Sequence, residues 1–416
     1  MSDSVIFYKF LIAVLLLLIN FFFFTLILSG KILITSKKNY LFLLLSRILL
    51  FFIVFVILSI EAQSDVKGYY FAQASNILNG MIPYVDFPSS YSFFFPYICA
   101  VAILIWNSAK SIILLSILIE MLTFYAWQTV FLKIERNNKN TLISALFYLI
   151  NPMPILLIVI SGQNQIWLSL FLASSIIMMI KKRYFLAGFV FSIGFLVTKF
   201  LILFFLPILI IFAKEKLSFT KGFAIPCILY FTLSVIVGFD IFTPLYAEAD
   251  NLTSGNLYYL LSIFNFTISS ILIWDIVVLI TILGLFVLIW KKYNVGDSLT
   301  LITTIVIIFI LFLLINKKSY TNYLVIIFQP LTYLYFLNNI TKSKIFSFWL
   351  FSTVAAIEPT LWFRLMNNYD LSIIWDFERY NINLISIVSF LIIELILIFY
   401  YPYLVYSLTK TKLFRK

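Results

Sequence analysis

Histidine is absent from the chain, and charge is scarce: 11% of its 416 residues are charged, against about 25% in soluble domains. Without histidine there is no imidazole base, no imidazole metal ligand and no Ser-His-Asp triad. The two cysteines, Cys99 and Cys227, lie in apolar runs and point to no disulfide framework or thiolate metal site. No stretch is rich enough in glycine, serine or proline to be a linker, and no fixed period recurs. What fills the chain instead is apolar: 63% hydrophobic, with a mean hydropathy of +1.09. A water-soluble surface cannot be built from this composition. Several apolar runs exceed the ~20 residues that let a helix span ~30 Å of hydrocarbon. They lack the ~10-residue apolar and polar alternation of a barrel strand. The expected fold is all-α, a polytopic bundle of transmembrane helices.

About 13 crossings are expected. They lie near 5–29, 40–60, 110–132, 141–161, 164–181, 184–198, 200–213, 222–240, 271–290, 298–316, 320–338, 345–357 and 384–408. The first run, Val5 to Ser29, is too long for the ~7–15-residue core of a cleaved signal. The net charge of +12 reads as the positive-inside bias rather than nucleic-acid binding. Basic clusters at Lys31/Lys37/Lys38, Lys133/Arg136/Lys139, Lys181–Arg183, Lys214/Lys216/Lys221, Lys291/Lys292, Lys342/Lys344 and Lys410–Lys416 mark cytoplasmic connections. Acidic or neutral segments at 61–91, 240–256 and 358–382 alternate with them and read as external. Residues 92–106 are apolar but short and broken by Pro96. They are expected to lie in the interface or to dip in and return; the alternative is a crossing that violates the charge rule once.

The segment 61–91, EAQSDVKGYYFAQASNILNGMIPYVDFPSSY, is more than a random loop. Tyr69, Tyr70, Ala74, Ile77 and Leu78 recur at helical spacing, which predicts an amphipathic helix on the membrane surface. Asn79-Gly80 would end it, and Pro83, Pro88 and Pro96 then force irregular backbone. Asp65 follows a membrane helix directly. At that dielectric boundary a carboxylate can become a useful base, or it is simply a solvated acid or helix cap.

Asp65 with Tyr69-Tyr70, Asn79-Gly80, Pro83-Tyr84, Asp86-Phe87 and Tyr91 resembles the first external loop of GT-C glycosyltransferases. The resemblance is closest to the branch around the GPI-anchor mannosyltransferases and their bacterial relatives. It continues at Asn151-Pro152, Gly162-Gln163, Arg183…Ala187-Gly188, Lys199 with Pro207, and Lys317…Tyr320…Tyr323. It implies a GT-C-like module over 40–416, with the catalytic loop after the second crossing. Residues 1–39 would add one N-terminal helix and a cytoplasmic loop, which the simplest members lack. A second acidic residue found in some members near Gly162-Gln163 is also missing; here the chain reads Gln163-Asn164-Gln165.

What the resemblance implies is transfer of a hexose or mannose-like sugar from a polyprenyl-phosphate donor to a glycan or lipid acceptor. The site would face the non-cytoplasmic side of a bacterial inner membrane, and no metal cofactor or nucleic acid is expected. Asp65 would be the general base of an inverting displacement, for which one carboxylate suffices. Lys199, Lys317 and Gln163 would hold the donor phosphate; Asp86, Tyr69, Tyr84, Tyr91 and Tyr320 would contact acceptor or sugar. The physical chemistry fits. A leaving phosphate needs cations or N–H donors, and an unpaired ammonium in an apolar stretch such as that around Lys199 costs ~2.5–3.5 kcal/mol at mid-membrane. Lys317 and Lys318 sit on the external side against the charge bias, and bind anions or snorkel to headgroups. Arg364 and Arg379 could also contact phosphate or acceptor, but are expected to pair with Asp370, Asp376 and Glu378. Tyr91 or Trp167 could stack on a sugar face.

Other readings remain. Arg47, Glu120, Asp275 and Glu394 fall in or near apolar runs and are expected to pair between helices; they could instead line an ion path of a transporter or flippase. Such a protein would show paired halves with broken helices, and none is visible. A polymerase of lipid-linked glycans would carry a larger, Arg-rich late external loop than 358–382. The sequons at Asn251, Asn265 and Asn339 match a short pattern that arises by chance in Asn-rich chains, and the Phe/Ile/Lys/Asn bias resembles that of an AT-rich bacterial genome, where they would mean nothing.

Overall fold

A computed structural model describes residues 38–62, 65–134, 138–248, 252–263, 271–292, 297–337, 341–366 and 384–409, with isolated positions between 11 and 25. The expected crossing at 5–29, the three sequon asparagines, Arg379, and Asp370, Asp376 and Glu378 fall mostly or wholly outside those residues. Among the described residues the regular structure is helical, apart from one isolated bridge between Pro83 and Phe87. Among the described residues five helices are long and apolar enough to cross a membrane: Ala109–Ile134, Lys216–Val237, Ser298–Ile315, Lys342–Trp362 and Val388–Thr409. A sixth span is possible if Thr141–Ile150 and Pro152–Ile160, bent by 44° at their junction, count as one. The chain is a helical, membrane-embedded multi-pass protein.

Shorter apolar helices fill the remaining volume. Phe95–Ile105 has 11 residues and is about 16 Å long, which is short of the hydrocarbon core. Tyr184–Val197 and the run Phe200–Phe212 meet at a break at Thr198-Lys199. Local sequence explains several ends. Asp297 caps Ser298–Ile315, accepting the Thr300 N–H at 2.9 Å. Gly238, at φ +82°, closes Lys216–Val237 in the left-handed conformation that favours glycine. Asn151 accepts the Met153 N–H at 2.9 Å, restarting the chain as a helix after the bend, and donates to Ser352 Oγ at 2.9 Å.

The intramembrane charges find partners. Arg47 donates through Nε to both Glu120 oxygens at 2.8 Å and through Nη1 to the Leu149 carbonyl at 2.9 Å. That carbonyl is one of the orphan acceptors at the end of Asn138–Ile150. Lys317 pairs with Asp275 at 2.7 Å. Glu394 accepts the Gly255 N–H at 2.8 Å. One sequence expectation is corrected here: Glu358 is not part of an external acidic loop. It is 1% exposed within helix Lys342–Met366, accepting hydrogen bonds from Ser254 and Thr321. Those two hydroxyls satisfy the carboxylate, so the helix continues past it.

Candidate functional site

Within the segment 61–91, residues 66–78 form one continuous helix. Wide i→i+5 turns over Val66–Phe71 lead into Ala72–Leu78, and Asn79-Gly80 ends it with Gly80 at φ +83°. The wide turns shift the helix off a 3.6-residue repeat, so Val66, Tyr70 and Ala74 share the buried face. They pack against Phe95–Ile105 and Ala109–Ile134. The expected single apolar face is therefore corrected: Tyr70 and Ala74 turn inward, while Tyr69 is 57% and Leu78 43% exposed. The Gly162 turn lies under the start of this helix. A Cβ at Gly162 would stand 2.7 Å from Val66 Cγ2 and 2.9 Å from Ile113 Cγ1, so glycine lets the chain pass between Val66 and Ile113.

A cavity of about 440 Å³ opens where this helix starts. Asp65, Lys199 and Glu248 contribute its charged walls; Tyr69, Tyr91, Tyr320, Tyr323 and Trp362 its aromatic ones. Gln73, Ser89, Gln165 and Asn322 add amides and a hydroxyl. These residues come from segments that the charge pattern assigns to one side of the membrane: 61–91, the turn after 161, the break at 198–199, 240–256 and the turn after 316.

Hydrogen bonds from Ser92 and Phe94, just past 61–91, tie that segment to the break at 198–199. The last carbonyls of Tyr184–Val197 lack intrahelical donors. Ser92 Oγ donates to Phe195 O at 2.6 Å, the Phe94 N–H to Leu196 O at 3.3 Å, and the Ser92 N–H to Thr198 O at 3.1 Å. Tyr91 is thereby set beside Lys199. The Lys199 ammonium lies 4.7 Å from the Tyr91 ring centroid, 5.9 Å from that of Tyr323, and 3.0 Å from Glu248 Oε1. Lys199 is 7% exposed and extended, with φ −144°. Burial pushes the Tyr91 and Tyr70 phenols well above their ordinary value, and the Asp65 carboxylate adds to both shifts. Both rings are neutral hydroxyls at any physiological pH, meeting edge-on at 5.0 Å.

Of the residues singled out from sequence, Asp65, Lys199, Tyr69, Tyr91 and Tyr320 line this cavity. The others do not. Gln163 stands behind the wall, accepting the Asn322 amide at 3.0 Å. Asp86 is exposed and closes its own turn by accepting the Ile82 N–H at 2.7 Å. Tyr84 sits at φ +66°, donates to the Tyr91 carbonyl and packs against Phe93 and Phe239. It holds Tyr91 rather than reaching the cavity. Lys317 is buried against Asp275 and is absent from the lining. Trp167, offered as a stacking residue, is a core ring that meets Phe95 edge-on.

Sequence reasoning missed Glu248, Gln73, Gln165, Asn322, Tyr323 and Trp362 as wall residues. The polar run Gln163-Asn164-Gln165 between two apolar helices was a signal for one of them. Gln165 Oε1 and Asn322 Oδ1 are buried and without a hydrogen-bond partner among the described residues. No set of three or more carboxylates and thiols comes together in a metal-binding arrangement among the described residues. No family model matches the chain, and neither a curated protein nor a solved structure does.

Proposed function

We propose that the chain is a membrane glycosyltransferase of GT-C type, moving a sugar from a polyprenyl-phosphate donor to a glycan or lipid acceptor. On this reading it crosses a bacterial inner membrane about 13 times, with the cavity on the non-cytoplasmic side. The observation that carries the reading is the make-up of the cavity. A carboxylate that directly follows a membrane helix, a single buried lysine and a surface of tyrosines and amides meet in one chamber. Aromatic faces and amides suit a sugar, and a carboxylate and an ammonium suit the two ends of a glycosyl transfer.

In the proposed step an acceptor hydroxyl oxygen attacks C1 of the donor sugar as its proton passes to Asp65. The C1–O bond to phosphate breaks, and its electron pair leaves on the phosphate oxygen near Lys199. Net inversion needs no enzyme nucleophile. The role of Asp86 in acceptor binding and that of Lys317 in phosphate binding are not retained, because both side chains have other partners away from the cavity.

One observation favours a second reading, a transporter. Glu358 and Glu394 lie against each other, fully buried between two apolar helices, and buried acids in membrane helices often serve ion movement. In vitro transfer from a panel of radiolabelled polyprenyl-phosphate sugars separates the two. Wild-type protein in lipid is expected to transfer or slowly hydrolyse one donor, and Asp65→Asn to lose at least ~100-fold of that rate. Full activity in Asp65→Asn would move the base elsewhere; inactivity of the wild type with every donor would favour the transporter.

A further inference from the structure

The ammonium best placed to meet a phosphate already has an anion beside it. Among the described residues that line the cavity, Lys199 is the one cation, and its Nζ lies 3.0 Å from Glu248 Oε1. A phosphate reaches that ammonium in full only where Glu248 gives way. The two partners of the Lys199–Glu248 bond are held very differently. The Lys199 side chain is 9% exposed, flanked by two tyrosine rings and anchored at a helix break that Ser92 and Phe94 tie down. The Glu248 side chain is 31% exposed and stands just past the five-residue helix Thr243–Ala247. Of the two partners Glu248 is the more exposed, and among the described residues this ion pair is the contact that holds its carboxylate.

We infer that Glu248 is a replaceable counter-ion, occupying in the empty protein the position at Lys199 that a substrate phosphate takes over. The inference rests on the glycosyltransferase reading. Arrival of the phosphate moves Glu248 outward, so that Lys199 faces one anion at a time. Among the described residues that line the cavity, Asp65 is then the remaining carboxylate. Glu248 also keeps the buried Lys199 ammonium compensated between turnovers, when no phosphate is present. The exchange makes donor affinity depend on a competition within the protein, so removing the competitor tightens donor binding.

The test is equilibrium binding of radiolabelled undecaprenyl phosphate to the purified full chain in nanodiscs, comparing wild type, Glu248→Gln and Lys199→Met. Polyprenol serves as the uncharged control and phosphatidylglycerol as the competing phosphate source. Glu248→Gln is expected to bind undecaprenyl phosphate about fivefold more tightly than wild type. Lys199→Met should lose most binding, and polyprenol should not discriminate among the three. Equal affinity of wild type and Glu248→Gln, with Lys199→Met weakened, overturns the exchange and leaves the transferase reading standing. Absence of phosphate-dependent binding in all three overturns both. Equal displacement by phosphatidylglycerol would assign the position to a bulk lipid headgroup and overturn the donor assignment. If Lys199→Met fails to fold, Lys199→Arg serves in its place, with weakened binding expected because its planar fork cannot fill the same position.

Discussion

Arg47 and Glu120 are 1% and 0% exposed, respectively, deep inside a bundle where water cannot solvate either. Three things make the pair tolerable: two 2.8 Å bonds between the side chains, the Leu149 carbonyl, and the Tyr148 hydroxyl donating to Glu120 at 3.2 Å. Removing one partner strands the other, which costs about 3–5 kcal/mol. Glu120→Ala is therefore expected to lower the thermal midpoint in detergent sharply. Arg47→Met with Glu120→Leu is expected to recover most of the loss, since two apolar residues need no partners. A double variant as unstable as the single one would show that the pair does more than balance charge. The same logic explains Lys317. A buried ammonium demands an anion, and Asp275 in the neighbouring helix supplies it in place of the expected phosphate.

Helices Tyr184–Val197 and Lys216–Val237 approach until their backbones touch. A Cβ at Gly188 would lie 2.0 Å from the Phe219 carbonyl oxygen, and one at Gly222 would lie 1.9 Å from that of Phe185. In lipid, where apolar side chains gain little by leaving the solvent, such small-residue contacts let van der Waals packing hold helices together. Gly188→Val is expected to push the pair apart and to destabilise the protein by about 1–3 kcal/mol. Because Lys199 follows the C-terminal end of the first helix, the affinity for undecaprenyl phosphate should fall with it. Thermal unfolding and binding measured on the same sample check both, and an unchanged midpoint would mean that the contact is looser than drawn. Gly188 is also part of the pattern that suggested the glycosyltransferase family. At this position the pattern reports packing, as Asn151 reports a helix restart and Gly162 a close crossing beside Val66.

For the whole molecule, the proposed orientation makes Val85, 49% exposed, external and the exposed Lys181 cytoplasmic. Cysteine labelling in a Cys227→Ala background tests this, with Cys99 fully buried. Val85→Cys should react with a membrane-impermeant maleimide on intact cells. Lys181→Cys should react only after the membrane is opened. The reverse pattern would invert the protein and place the cavity in the cytoplasm.

The sequence by itself determined the solvent of this protein. Apolar runs of crossing length, with charge confined mainly to connections, leave helices in lipid as the stable solution, because every backbone N–H and C=O must then be satisfied within its own segment. It also marked Asp65, Lys199 and the Asn79-Gly80 stop, since an acid after a crossing, a lysine in an apolar run and a left-handed glycine are local facts. Only the tertiary structure decided which polar residues share a chamber. Glu248 lies 49 positions from the lysine it pairs with, and Thr321 and Ser254 converge on Glu358 from 37 and 104 positions away. Helix packing sets such meetings. Asp86, Tyr84 and Lys317 have the same residue types as a site would, but folding satisfied each of them with a nearer partner first.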